Sequence, residues 1–161
     1  MRPVNVHMAA SLNRLQSEVG VTFFYKPNIY TKKLMWGHRN MLQNILQELK
    51  KRSLKINDLE RRAGEALAKD YDLEIYHDLL RQKAEILAKL PAELHETIET
   101  LDRHTKKYVI NGLGGFSHGA VKALSLDSVF YMSALLYPEN HRDDENNDLD
   151  DFINCLERGE F

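Results

Sequence analysis

The feature that most constrains this chain is a run of apolar side chains that returns every three to four positions. Leu42, Ile45, Leu49, Ile56, Leu59, Ala63 and Ala66 follow a heptad interrupted only at Arg52. That spacing puts the side chains on one face of a helix, where 3.6 residues complete a turn, and gives a pleated strand nothing to alternate. Over about 30 residues it predicts a rod roughly 45 Å long. Ser53 and Asn57 sit in its middle, so a kink or break is expected near 52–57. An apolar seam of this length has to be covered, by helices of the same chain or by self-association.

The rest of the chain is largely helical in pattern. Met8, Leu12, Leu15 and Val19 precede Gly20 and predict a short helix near 8–19. Val21–Tyr25 is β-branched and aromatic, Lys26-Pro27-Asn28 is turn chemistry, and Ile29–Thr31 reads as a return strand. Asp70-Tyr71-Asp72 supplies cap chemistry for a second stripe, Leu73, Tyr76, Leu80, Ile86, Leu87 and Leu90, interrupted by Lys83. Pro91 closes that helix and suits the first position of the next. Leu94, Ile98, Leu101, Tyr108 and Val109 carry the apolar face on to Asn111-Gly112-Leu113-Gly114-Gly115, which reads as a break. Ala120, Val121, Leu124, Val129, Phe130 and Leu135 form the most hydrophobic helix, expected to be the central buried element, and Tyr137-Pro138 ends it. Asp148 is expected to cap a last helix that carries Leu149, Phe152, Ile153 and Leu156.

The predicted fold is all-α, a bundle of about five or six helices with a small N-terminal β-hairpin. It is read as one domain over 1–161: helix and hairpin in 1–38, a helical core in 39–137, and an acidic loop with the C-terminal helix in 138–161. The lone Cys155, expected as a buried thiol, excludes an internal disulfide framework and a multi-cysteine zinc site, and fits a reducing compartment. No apolar run approaches the roughly 18–20 residues of a bilayer span, so no membrane association and a cytoplasmic location are expected. Charge is uneven: residues 1–60 carry ten Lys/Arg against four Asp/Glu, and residues 138–161 nine Asp/Glu against two Arg.

Several short motifs suggest chemistry. Gly115-Phe116-Ser117-His118-Gly119 fits G-x-S-x-G and resembles the nucleophile elbow of α/β-hydrolases, a resemblance that implies Ser117 as nucleophile. That family places parallel strands before the elbow, whereas 40–108 reads as helix. Only His141, beside Asp143 and Asp144, follows as a partner. The other reading makes Ser117 a helix cap after a Gly-rich connector. The order His38, His77-Asp78, Asp127 resembles the helical metal phosphohydrolases named for their His-Asp pair, and implies those four as ligands of a divalent ion. Glu74-x-x-His77 is similar to half of a di-iron bundle motif, whose second half the chain lacks. The carboxylate-rich stretch Asp143–Asp151 lacks the glycine and closing glutamate of a calcium loop. Arg62–Pro91 resembles a single tetratricopeptide helix pair, without the second copy that stacking needs, and is read as a helical hairpin.

A nucleic-acid surface is the remaining candidate. Phe23, Phe24, Tyr25, Tyr30 and Trp36 interleave with Lys26, Lys32, Lys33, His38 and Arg39, while Lys50, Lys51, Arg52 and Lys55 add charge. Aromatics stack bases and cations follow phosphates. The alternative is a hairpin core fringed by lysines, and an isoelectric point near 6.4 lacks the basic excess of a dedicated binder. Together these patterns favour a non-enzymatic helical protein-interaction or regulatory module that self-associates and carries no cofactor. A nucleic-acid accessory protein, and a metal phosphohydrolase or serine hydrolase, are the alternatives.

Overall fold

In a computed structural model of the chain, which describes residues 29–138, 141–142 and 145–161 (side chains from residue 40, that of Asp70 apart), the heptad becomes helix α1, Ile29–Glu65. Residues 34–161 form one compact unit, and the account below concerns that unit. The helix read near 8–19 lies outside the described residues. So does the hairpin, except for Ile29–Thr31, which open α1.

Helix α1 is continuous through 52–57, against expectation. Ser53, buried at 5% exposure, takes the seam position between Leu49 and Ile56, and Arg52 turns outward to Glu48 and Glu93. The Ser53 hydroxyl bonds the Asp150 carboxylate, Asn57 reaches the same carboxylate at 3.5 Å, and Asn147 donates to Asn57 at 3.2 Å. These polar groups are spent on a neighbouring element rather than on the backbone of α1, so they do not compete with its helix.

A π-helical turn, Ala66–Asp70, and the left-handed Tyr71 (φ 51°) end this rod. Asp72 caps α2, Leu73–Glu93, by accepting from the Ile75 N–H at 3.0 Å. Helix α2 runs two residues beyond Pro91. The proline leaves the Leu87 carbonyl without its usual i−4 donor and does not end the helix. A short α3, His95–Glu99, leads to α4, Arg103–Ser125, capped by Asp102.

The Gly-rich stretch 111–115, read as a break, lies in the middle of α4. Its glycines serve close approach, not a turn. A Cβ on Gly112 would lie 2.4 Å from Cε2 of Phe152, whose ring is held between Tyr108 and Phe116. The segment 120–135 is likewise not one buried helix. It breaks at Asp127 (φ 48°), and Ser128 caps a short α5, Val129–Ala134. Val121, Leu126, Phe130 and Tyr131 are all exposed. The central element is instead α2, which buries Leu79, Leu80, Ala84, Leu87 and Leu90 and packs most extensively on α4. The final helix α6, Asp148–Arg158, is capped by Asn147, one residue before the expected Asp148.

No strand occurs among the described residues, and no described helix is long and apolar enough to cross a membrane. Ile45, Leu49, Ile56, Leu59 and Ala63 are buried inside the unit. The seam that pointed to self-association is therefore covered by the chain itself.

Two glycines of α4 give a paired prediction. Gly112→Ala forces the Phe152 ring aside and is expected to cost about 1–3 kcal/mol, as overpacking does. At Gly115 a Cβ meets nothing within 4 Å, so Gly115→Ala is expected to gain about 0.5–1 kcal/mol from helix propensity. Urea unfolding of the two variants measures both, and equal effects would contradict this packing.

Candidate binding site

The second stripe is interrupted at Lys83, and there the fold is least ordinary. The Lys83 side chain is 0% exposed and Glu60, across from it on α1, 16%. Lys83 Nζ lies 2.6 Å from Glu60 Oε1 and donates to the carbonyls of Leu135 at 2.7 Å and Ser133 at 3.3 Å. Tyr137 donates its hydroxyl to Glu60 Oε2 at 2.5 Å, and its ring centroid stands 5.1 Å from Nζ. Moving an ammonium out of water costs several kcal/mol, so it persists here only because carboxylate, carbonyls and ring surround it. Burial pulls the Lys83 ammonium below the usual lysine range, and Glu60 pushes back. Burial first, then the bond to Glu60, holds the Tyr137 phenol well above its ordinary value.

These contacts tie down the irregular segment that leaves α5. Leu136 there has φ 74°, a left-handed conformation costly for a branched-Cγ residue, and its carbonyl accepts from the Asp148 N–H at 3.0 Å. The strap 135–138 and α4 face one another across an open groove. One hollow of about 480 Å³ is lined by Gly115 and Phe116 of α4, by the strap, and by Asn111 and Asp148. A second of about 210 Å³ ends at Lys122 and Tyr131. The two hollows share Gly119, Ala134 and Leu135 in their linings. At Gly115 a Cβ would meet nothing, whereas at Gly119 it would touch Leu135 Cδ2 at 3.4 Å. Burial and the neighbouring Asp151 raise the Asp148 carboxyl above its usual range, while His141 draws it back.

The residues singled out from sequence fall as follows. Ser117 is mid-α4, its hydroxyl donating to the Ala88 carbonyl of α2 at 2.8 Å, a bond between helices rather than an elbow after a strand. His77 and Asp127 do meet, Nε2 to Oδ1 at 3.1 Å, but the Arg81 guanidinium bonds the same oxygen. Asp78 instead accepts from Gln82 at 2.8 Å. The His38 side chain lies outside the described ones. Among the described residues no three His, Cys, Asp or Glu converge as metal ligands.

Of the basic candidates, Lys50 pairs with Glu157, Arg52 with Glu48 at 2.5 Å and Glu93 at 3.2 Å, and Lys51 is exposed. The side chains of Lys26, Lys32, Lys33, Trp36 and Arg39 lie outside the described set. Cys155 is half-buried rather than enclosed, with Arg158 3.9 Å from its sulfur. Sequence reasoning passed over Glu60, Lys83 and Tyr137. The signal was a lysine inside an apolar stripe, which requires a carboxylate to meet it.

Lys83→Met leaves Glu60 buried without its cation and two carbonyls without their donor, for an expected loss of about 3–5 kcal/mol. Adding Glu60→Met is expected to restore more than half of it. Chemical denaturation of single and double variants decides this, and additive losses would contradict the pairing. Tyr137→Phe is expected to cost about 1.5–3 kcal/mol near neutrality, where a hydroxyl donates to a carboxylate. The folded-state pKa of Tyr137 is raised, so its contribution is fully present below about pH 10, the unfolded value, and is lost as pH rises beyond it. Stability compared between wild type and Tyr137→Phe from neutral to alkaline pH is expected to converge. A gap that widens would contradict the assignment.

Comparison of the chain with protein-family models, with curated proteins and with solved structures finds no match in any of the three.

Proposed function

We propose that this chain is a helical protein-interaction module, acting in the cytoplasm, that binds through the α4–α5 face and performs no reaction of its own. The observation that carries the reading is the apolar surface left uncovered there. Phe130 is 72% exposed, with its ring 5.6 Å from that of exposed Tyr131, which lines the smaller hollow. Exposed apolar side chains gathered at a concavity mark recognition surfaces, and aromatic residues anchor such interfaces.

The groups that suggested catalysis have structural partners. Ser117 bonds Ala88, and Asp127 is shared by His77 and Arg81. Self-association through this face is compatible with the reading, now through α4–α5 instead of the α1 seam.

Leu54 on α1 is also 72% exposed and stands as a control. A photo-crosslinking phenylalanine analogue is placed at Phe130 or at Leu54 in cells that normally make the protein. Discrete adducts at Phe130 and none at Leu54 are expected, and an adduct of twice the chain mass assigns self-association. Equal labelling at both positions, or none at Phe130, would overturn the proposal.

A further inference from the structure

We infer that the larger hollow binds a small amphiphilic amine, with its apolar body between α4 and the strap and its ammonium group toward Asp148. This goes beyond the protein-interaction reading and does not depend on it.

The lining sorts by polarity. Leu87 has no exposed surface and Leu136 only 6%, so the hollow reaches down to the core. Phe116, Leu135 and Pro138 add apolar wall. Asn111 and Asp148 are exposed and stand where the hollow meets water. A volume of about 480 Å³ falls within the range of small-molecule sites, which combine apolar walls with a few polar groups that fix orientation.

The polar groups select the ligand. Tyr137 also lines the hollow, but its hydroxyl is spent on Glu60. Among the described residues neither the Asn111 side-chain amide nor the Asp148 carboxylate has a hydrogen-bond partner, and no Lys or Arg lines the hollow. Asp151, one turn along α6, adds negative charge at Asp148, and His141 acts the other way. An anion meets repulsion there, and a neutral apolar ligand leaves the carboxylate without a counter-charge. One carboxylate and one amide are too few for a bare divalent ion, which takes about six oxygen ligands. An ammonium group brings three donors, enough for the carboxylate and the Asn111 side-chain oxygen. It also keeps its charge at the water boundary while its apolar body is buried.

The test follows amide chemical shifts of the full chain as phenethylammonium, phenethyl alcohol or hydrocinnamate is added. These probes share an aromatic body and differ in the charge of the head. The ammonium is expected to bind at about 1–10 mM, as ligands of this size do, and to shift the Gly115, Leu135, Leu136 and Asp148 amides. It is expected to bind about threefold more tightly than the alcohol, the scale of an ion pair in contact with water, with hydrocinnamate weakest. Asp148→Asn is expected to bring ammonium and alcohol level. Gly115→Leu, whose side chain enters the hollow from a position where a Cβ meets nothing, is expected to remove binding of both. Gly114→Leu, equally unobstructed and lining neither hollow, is expected to leave it unchanged. Phe130→Ala is expected to do the same, since Phe130 lines neither hollow, so amine binding and Phe130 crosslinking succeed or fail separately. No shifts at these amides, an alcohol or carboxylate that binds as tightly as the ammonium, a preference that survives Asp148→Asn, or binding that survives Gly115→Leu would each overturn the inference.

Discussion

A lysine with no exposed surface is the constraint around which residues 34–161 are arranged. Lys83 belongs to the most central helix, its carboxylate partner to α1, and its two carbonyl partners to the end of α5. One cation thus joins three separate stretches of chain, and Tyr137 closes the set by bonding the same Glu60. Apolar packing alone would hold α1 against α2, since hydrophobic contact is not directional. Hydrogen bonds to two particular carbonyls are directional, and they give the segment after α5 a fixed path.

That path creates the groove. The strap lies opposite α4 because its backbone is anchored from beneath, and Leu136 is held in a left-handed conformation that a free segment would leave. On the facing side the glycines of α4 divide their roles. Gly112 admits the Phe152 ring and so brings α6 close, whereas Gly115 touches nothing and leaves the floor open. Five residues of sequence therefore both admit one helix contact and leave part of the α4 surface uncovered.

Much of the architecture was legible because burial and helical period coincide. The seam of α1, the stripe of α2 and the apolar side of α6 all follow the 3.6-residue repeat, and most of the side chains it selects are buried, although Leu42, Tyr76 and Ile86 are half-buried and Leu73 is exposed. The errors have a common cause, which is that local chemistry was read without its partner. Glycines suggested a turn where an aromatic ring from another helix required room. Ser53 and Asn57 suggested a kink where Asp150 and Asn147 receive them. The run 120–135 looked central because apolar content does not reveal that Ser128 restarts the helix and leaves Phe130 outside. Of the site, Ser117 and the His77–Asp127 pair were visible as residues, but their partners Ala88 and Arg81 were not. Lys83 looked like a defect in a stripe, since its compensation comes from 23 positions upstream and from 50 and 52 downstream.

The most direct test of this anchoring is native-state hydrogen exchange at the strap. The Tyr137 and Asp148 amides bond the Ala134 and Leu136 carbonyls at 3.0 Å each. If Lys83 fixes the strap to the core, both amides exchange only through the global unfolding that also releases the buried Leu113 and Ala120 amides of α4. Exchange at Tyr137 and Asp148 far faster than at Leu113 and Ala120 in the wild-type chain would show a strap that opens independently, and would contradict the account.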